Sequence, residues 1–545
     1  MAHIQNPILN GFHPDPSICK GHDGAWYIAT STFEWLPGVL IYRSEDLQNW
    51  KLVAAPVNSH KFIDCTGIPS SGGIWAPSLT YQAGQYFLVY SNLLTWKSDT
   101  GKGQSFKDAI NYVTWADDVT GEWAKPVSCG GGGFDPSFFA DDDNRLWYVW
   151  MWWDWRSPAF RFDKEVTDPT GCFGGIYLQE FDKEKGLIGK AERIFTNTHV
   201  GLTEGPHIFK KDGYYYLLVA EGGTSWEHAE SIARSRNLHG PYELHPQTPL
   251  MTSIDRPDWP LQKTGHASMC AGPDDAGDDL WIMAHLTGRP LTQRGACPLG
   301  RETAIQPIEW KDGWPWIKGG GRLGLAEWQT DYLDDVPPAS HQQFFDFTTL
   351  KEWPLNLASL RDHKSDDWCQ LSDEGLKLLG RHSPHSKRHQ SVVGIRVQDF
   401  AFVAETEVQF TSHNHQQFAG LSLRYDEANQ YQLLLLKNHA DTPTSLSIAG
   451  FVGGELIMPL GDDAPHIDES LSVQLRLKVK HGYVYFAYKQ DGDWIDLGVK
   501  LNWSPLSDEG AMPMGFTGNF VCLVCHDMLQ SGNWASFKYL NYQPL

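Results

Sequence analysis

Three acidic residues stand in similar short settings: Asp15 in Asp15-Pro16-Ser17, Asp135 in Asp135-Pro136-Ser137, and Glu204 in Thr203-Glu204-Gly205-Pro206-His207. Each precedes a short apolar run, a turn and an aromatic strand. One Asp-Pro-Ser by itself reads as a side-chain-capped turn. Three acids in register read differently, because a repeat that returns a carboxyl group to one structural position gathers the three at one point. Converging carboxyls raise one another's proton affinity, so one can stay protonated while another acts as base. That pairing cleaves a glycosidic bond without a metal: an acid protonates the leaving oxygen, and a base or nucleophile works on the other face of the sugar.

The elements that would position these acids recur along the chain. Trp26-Tyr27-Ile28-Ala29 follows Asp15, and Tyr86-Phe87-Leu88-Val89 follows Trp75-Ala76-Pro77-Ser78. Leu146-Trp147-Tyr148-Val149 follows Asp135, Tyr214-Tyr215-Tyr216-Leu217 follows Glu204, and Leu280-Trp281-Ile282-Met283 follows His266. The period is about 60 to 70 residues, and each unit reads as a short strand, a turn and an aromatic or β-branched strand. Five such units predict an all-β five-bladed β-propeller over residues 1–325, with the start of every unit facing a common axis. The second and fifth units offer Trp75 and His266 at the comparable point, so the expected pocket is asymmetric. Gly319-Gly320-Gly321 and the acidic stretch to Pro337-Pro338 end the repeat and predict a linker over 326–341. Beyond it, segments such as 400–410 and 471–479 alternate apolar and polar residues. They predict a β-sandwich of the jelly-roll kind over 342–545.

Composition narrows the partners. The 545 residues carry 44 basic and 66 acidic side chains, a net charge of −22, which repels nucleic acid and anionic lipid surfaces. No uncharged apolar run approaches the roughly 18 residues of a membrane span, and the first residues lack a signal-peptide pattern. The nine cysteines are odd in number and scattered, unlike a disulfide framework, so the expectation is a cytoplasmic protein. Cys522 and Cys525 with His526 have no second ligand pair and read as buried thiols, and no Gly-x-Ser-x-Gly elbow occurs.

Asn10 through Ile18, Ser31 through Gly38, Gly73 through Pro77, Thr203 through His207, Cys297 through Thr303 and Gly515 through Phe520 together resemble glycoside hydrolase family 43 of the β-xylosidase type. The motifs lie in the family's order and span both predicted domains. The resemblance implies an inverting exo-hydrolase that releases xylose from the non-reducing end of β-1,4-xylo-oligosaccharides. In it Asp15 is the general base, Glu204 the general acid, and Asp135 the modulating and orienting group. It further implies substrate contacts from Phe33, Trp75, Arg301 and His266, and from Phe516 of the sandwich, with Phe520 the less favoured plug. No cofactor is required, although some members place a divalent cation (calcium) near the axis, which makes His266 the candidate metal residue. A homo-oligomer, a tetramer by preference, is also implied. His13 and Asn519 depart from the usual residues and are expected near the pocket. The alternatives are an α-L-arabinofuranosidase or bifunctional enzyme, and a non-catalytic carbohydrate-binding propeller.

Overall fold

A computed structural model describes residues 1–97, 103–156, 172–272, 280–511 and 514–545. Five antiparallel sheets form the blades, each a meander in chain order. The innermost strands are Ser17–Lys20, Gly73–Gln82, Gly133–Ala140, Glu204–Lys211 and Gln262–Ala271. Behind them run Trp26–Thr30, Gln85–Lys97, Leu146–Trp153, Tyr214–Glu221 and Trp281–Gly288, the aromatic strands of the repeat.

The blades are apolar on both faces because each is covered by its two neighbours, so these second strands are buried with little alternation. Tyr27, Tyr86 and Leu88 fill the space between the first two blades. Phe87 stacks on Phe138 at 5.2 Å between the second and third. Tyr216, Met283 and Trp314 do the same for the fourth and fifth, and Ile28, Ile282 and Ile305 join the fifth to the first. Flat rings suit this wedge-shaped gap, and each buried large side chain contributes about 1.5–3 kcal/mol. Inter-blade packing, more than sugar binding, accounts for the heavy use of Trp and Tyr.

The two ends of the propeller segment meet. Ala2–Gln5 pairs antiparallel with Glu327–Thr330, and Asn6 Nδ2 donates to the carbonyls of Ile305 and Leu325, both at 2.8 Å. The predicted linker therefore begins too early at 326: its first residues are a propeller strand, and the irregular connection starts after Thr330. Polarity and charge mark this segment as exposed, but they cannot distinguish an edge strand from a tether.

The C-terminal domain is a two-sheet sandwich. In one sheet, Phe402–Gln409 and Val473–Lys480 alternate buried and exposed residues as their sequences predict. In the other, Ser391–Arg396 and Phe520–Asp527 are buried throughout, because the propeller covers their second face. This sheet also takes a strand from the propeller: Trp35–Leu36 pairs with Ala358–Leu360 at its edge, and the Trp35 ring stacks on Phe520 at 3.8 Å.

Beside this shared edge lies a buried ionic network. Arg361 pairs with Glu427, and its Nε donates to the Ile68 carbonyl at 2.6 Å. Arg424 Nη2 reaches Glu427 at 2.9 Å. Despite burial, Arg361 and Arg424 pull the Glu427 carboxyl down to about 2. Burial pushes nearby Glu34 up to about 7, against the pull of Arg361. Glu34 Oε2 accepts the Ser71 N–H at 2.9 Å, so the network fixes the loop that leads into Trp75. Removing one partner of a buried pair leaves an uncompensated charge. Arg361→Met is therefore expected to cost about 3 kcal/mol of stability, measured as a lowered denaturant midpoint.

Candidate active site

The start of each inner strand shares one backbone device. Register is interrupted between Trp75 and Ser78, Phe134 and Ser137, Glu204 and His207, and Gly265 and Ser268. At each interruption one residue has positive φ: Ala76 at 23°, Asp135 at 51°, Gly205 at 57° and His266 at 50°, with Asp15 at 54° ahead of the first blade. These are bulges that turn side chains toward the axis. Left-handed backbone at Asp, Ala or His costs on the order of 1 kcal/mol each and persists because the surrounding strands impose it.

This geometry corrects the expected equivalence of the three acids. Asp15, Ala76, Asp135, Gly205 and His266 occupy the repeated position, whereas Glu204 and Trp75 lie one residue upstream. A bulge presents two successive residues to the same side, so Glu204 still reaches the pocket. Gly205 is required where it stands: a Cβ there would lie 2.8 Å from His266 Nε2. The fourth blade thus gives up a side chain at the repeated position to make room for the fifth blade's histidine.

Asp15, Asp135 and Glu204 line a single pocket of about 280 Å³, together with Phe33, Trp75, His266, Arg301 and Phe516. The three acids and the five residues expected to contact substrate are brought together there. Asp15 Oδ2 accepts Ser31 Oγ at 2.7 Å, and Oδ1 accepts Arg301 Nη1 at 3.1 Å. His266 Nδ1 stands 3.5 Å from the same Oδ1. Arg301 is 3% exposed; it also donates to Thr224 Oγ1 and to the Phe516 carbonyl, both at 3.0 Å. Its strand holds the backbone of Asp15's neighbour, since His13 N–H donates to the Arg301 carbonyl at 2.9 Å.

One guanidinium among three enclosed carboxyls cannot neutralise them all. Burial, reinforced by the charge of Asp15, pushes Glu204 up to about 8, and Lys107 and Arg301 only partly oppose this. Burial and the charges of Glu204 and Asp15 likewise push Asp135 well above the usual carboxylate range. Glu204 is therefore proton-bearing at neutral pH, and Asp15 is the aspartate that adds to its burial.

The walls are aromatic. The Trp75 ring meets Phe33 at 5.9 Å, Phe134 at 5.5 Å and Phe516 at 5.8 Å. Phe33 and Phe516 flank the Arg301 guanidinium at 5.3 and 5.4 Å. Phe516 comes from the sandwich, and its N–H donates to Ser71 Oγ at 3.0 Å. Phe520 instead lies in the domain interface against Trp35.

Sequence reasoning missed Trp96, Lys107, Trp153, Phe173, Thr224 and Met514, which also line the pocket beside Phe134 and the 222–225 turn. Lys107 sits mid-strand with its ammonium 4.6 Å from the Trp153 ring, and burial lowers its proton affinity while Glu204 raises it. No motif surrounds it, so nothing in the sequence marked it. His13 and Asn519 were expected near the pocket and are not in its lining. His13 bonds Tyr42 at 2.7 Å behind it. Asn519 Nδ2 donates to the carbonyls of Pro298 and Leu506 at 2.7 and 2.6 Å, a buried structural role. Among the described residues no three His, Cys, Asp or Glu side chains converge as cation ligands, and Arg301 shares Asp15 with His266. The surroundings of His266 do not fit the expected calcium site.

Residues 4–315 match glycosyl hydrolases family 43, and residues 345–543 match the β-xylosidase C-terminal concanavalin A-like domain. The chain is 40% identical to a xylosidase/arabinosidase 43B of Humicola insolens over 100% of this chain and 98% of that one. It is 39% identical to a β-xylosidase of Bacillus subtilis (strain 168) over 99% of each. The crystal structure of a xylan β-1,4-xylosidase from Bacillus halodurans C-125 superposes with a TM-score of 0.91 at 38% identity, covering 99% of this chain and 100% of that one. With three carboxyl groups in one propeller pocket and both domains matched in order, this chain belongs to glycosyl hydrolases family 43.

Proposed function

We propose that this protein is a β-xylosidase that removes the terminal xylose from the non-reducing end of β-1,4-xylo-oligosaccharides with inversion at the anomeric carbon. The observation that carries the reading is the pairing in one pocket of a proton-bearing Glu204 with Asp15, an acceptor held by Ser31 and Arg301. Relatives named β-xylosidase that match along their whole length support the substrate class.

In this reading Glu204 transfers its proton to the glycosidic oxygen as the bond to the anomeric carbon breaks. Asp15 takes a proton from water while that water's oxygen attacks the same carbon from the opposite face. The products are xylose and a shortened chain, and solvent returns the proton from Asp15 to Glu204. Asp135 orients the sugar and tunes its neighbours. Arg301 orders Asp15 and bonds sugar hydroxyls. Trp75, Phe33 and Phe516 offer apolar faces to the ring. The relative named xylosidase/arabinosidase favours a second activity on α-L-arabinofuranosides. A cytoplasmic location is supported by nine free cysteines. A homo-oligomer, with a tetramer favoured, is supported by the exposed Leu456, Ile457 and Met458 at a sheet edge; light scattering that finds only monomer rejects this part.

Glu204→Gln is expected to lower kcat on xylobiose by about 10³-fold. With a dinitrophenyl xyloside, whose leaving group needs no proton, it should retain far more rate. Asp15→Asn should lose both activities alike, and equal losses in the two variants would undo the assignment.

In the unaltered enzyme, activity should fall as pH rises through about 8, where Glu204 ionises. Because its folded pKa is raised, the stabilisation from its proton is present in full below the unfolded value and is lost as pH passes the folded one. Glu204→Gln should therefore raise the melting temperature at pH 8 to 9 and leave it nearly unchanged near pH 4.

Paired aryl β-xyloside and aryl α-L-arabinofuranoside substrates, followed by NMR, test the sugar and the stereochemistry together. Release of α-xylose first, from the β-linked substrate, is the expected outcome; β-xylose first means retention and rejects the mechanism.

A further inference from the structure

Behind the active site, between propeller and sandwich, lies a cavity of about 380 Å³ bounded by His13, Tyr42, Trp50, Asn356, Arg396 and Gln398. A second cavity of about 430 Å³ shares His13, Tyr42 and Gln398 with it and extends along the start of the linker. Neither is lined by an acid of the catalytic pocket. The distinctive group of the first cavity is Arg396, which is 6% exposed. Its Nε donates to the Phe12 carbonyl at 2.9 Å, and its guanidinium lies 5.6 Å from the Phe12 ring and 5.2 Å from the Phe520 ring.

Among the described residues, the two terminal nitrogens of Arg396 have no hydrogen-bond acceptor, and no carboxylate lies within ion-pair distance. The other buried arginines of this interface, Arg361 and Arg424, are both paired with Glu427. The nearby carboxylate of Asp399 is already engaged by His341 and Tyr542, at 2.9 Å each. Burial lowers the proton affinity of Arg396 to about 10, with only the Tyr42 hydroxyl opposing. Burial, and then the Arg396 charge, likewise hold His13 well below its usual value.

A guanidinium fork without a counter-charge, its terminal nitrogens opening on a cavity of uncharged groups, matches the paired oxygens of a carboxylate or phosphate. The remaining wall is uncharged and mixed: Trp50, Leu52 and Leu355 are apolar, while Asn356 donates to Gln343 at 2.8 Å and Gln343 to Gln398 at 3.0 Å. We propose that this interdomain cavity is a binding site for a small oxyanion, held by the terminal nitrogens of Arg396 with His13, Tyr42 and Gln398 around it. The bound anion would sit directly behind the segment from Phe12 to Asp15, and Phe12 packs on the pocket wall Phe33 at 5.5 Å.

The test is calorimetric titration of the full-length protein with inorganic phosphate and, separately, acetate, at ionic strength held constant with sodium chloride. A single site saturating below about 10 mM for at least one anion is expected, with affinity lowered about tenfold or more in Arg396→Met. Tighter phosphate identifies a phosphate or phosphate ester as the natural ligand; tighter acetate identifies a carboxylate. Absence of saturable binding for both, or unchanged binding in Arg396→Met, overturns the proposal. If that variant does not fold, crystals of the unaltered protein soaked in selenate decide: an anomalous peak within hydrogen-bonding distance of the Arg396 terminal nitrogens sustains the site, and its absence rejects it.

Discussion

The enclosure of three carboxyl groups around one guanidinium is the constraint on which the rest of the structure depends. Left to themselves, Asp15, Asp135 and Glu204 would separate or take up solvent, since ionised carboxylates resist both burial and one another. They stay together because each belongs to a different blade and no blade can move without breaking its packing against two others. The cost appears as a displaced proton equilibrium: Glu204 holds its proton to about pH 8. In the proposed mechanism the same displacement makes it useful as an acid, so destabilisation and catalysis would share one physical origin.

The sandwich domain takes part in this arrangement. It lends Phe516 to the pocket, and that residue is tied to Ser71 through its N–H and to Arg301 through its carbonyl. Ser71 is in turn held by Glu34, beside the Arg361 and Glu427 pair. The shared strand pairing at Trp35 fixes the two domains within a few residues of Phe33. The pocket wall is therefore built across a domain boundary whose buried charges have matched partners, apart from Arg396.

Much of the site was legible because a propeller repeats its sequence where it repeats its geometry. The Asp-Pro-Ser copies, the aromatic strands that follow them and the change of pattern near residue 320 reflect local periodicity. The resemblance of the intervening motifs supplied Phe33, Arg301 and Phe516. What stayed hidden shares a cause. Lys107, Trp153 and Phe173 enter the pocket from the second and third blades without a local signature, because their placement depends on how neighbouring sheets turn. The pocket expectation for His13 and Asn519 failed for a related reason: nearness along the chain to a motif is not nearness in space.

The sequence by itself determined the strand periodicity, the presence of five units and two domains, and the identities of the three acids, since these rest on residue type and spacing. Tertiary structure alone decided that the repeated position belongs to Asp15, Ala76, Asp135, Gly205 and His266, with Glu204 one residue ahead. A bulge is a backbone event imposed by paired strands, and it has no residue code of its own. Tertiary structure likewise decided the proton on Glu204, because proton affinity is set by what surrounds a carboxyl after the blades close.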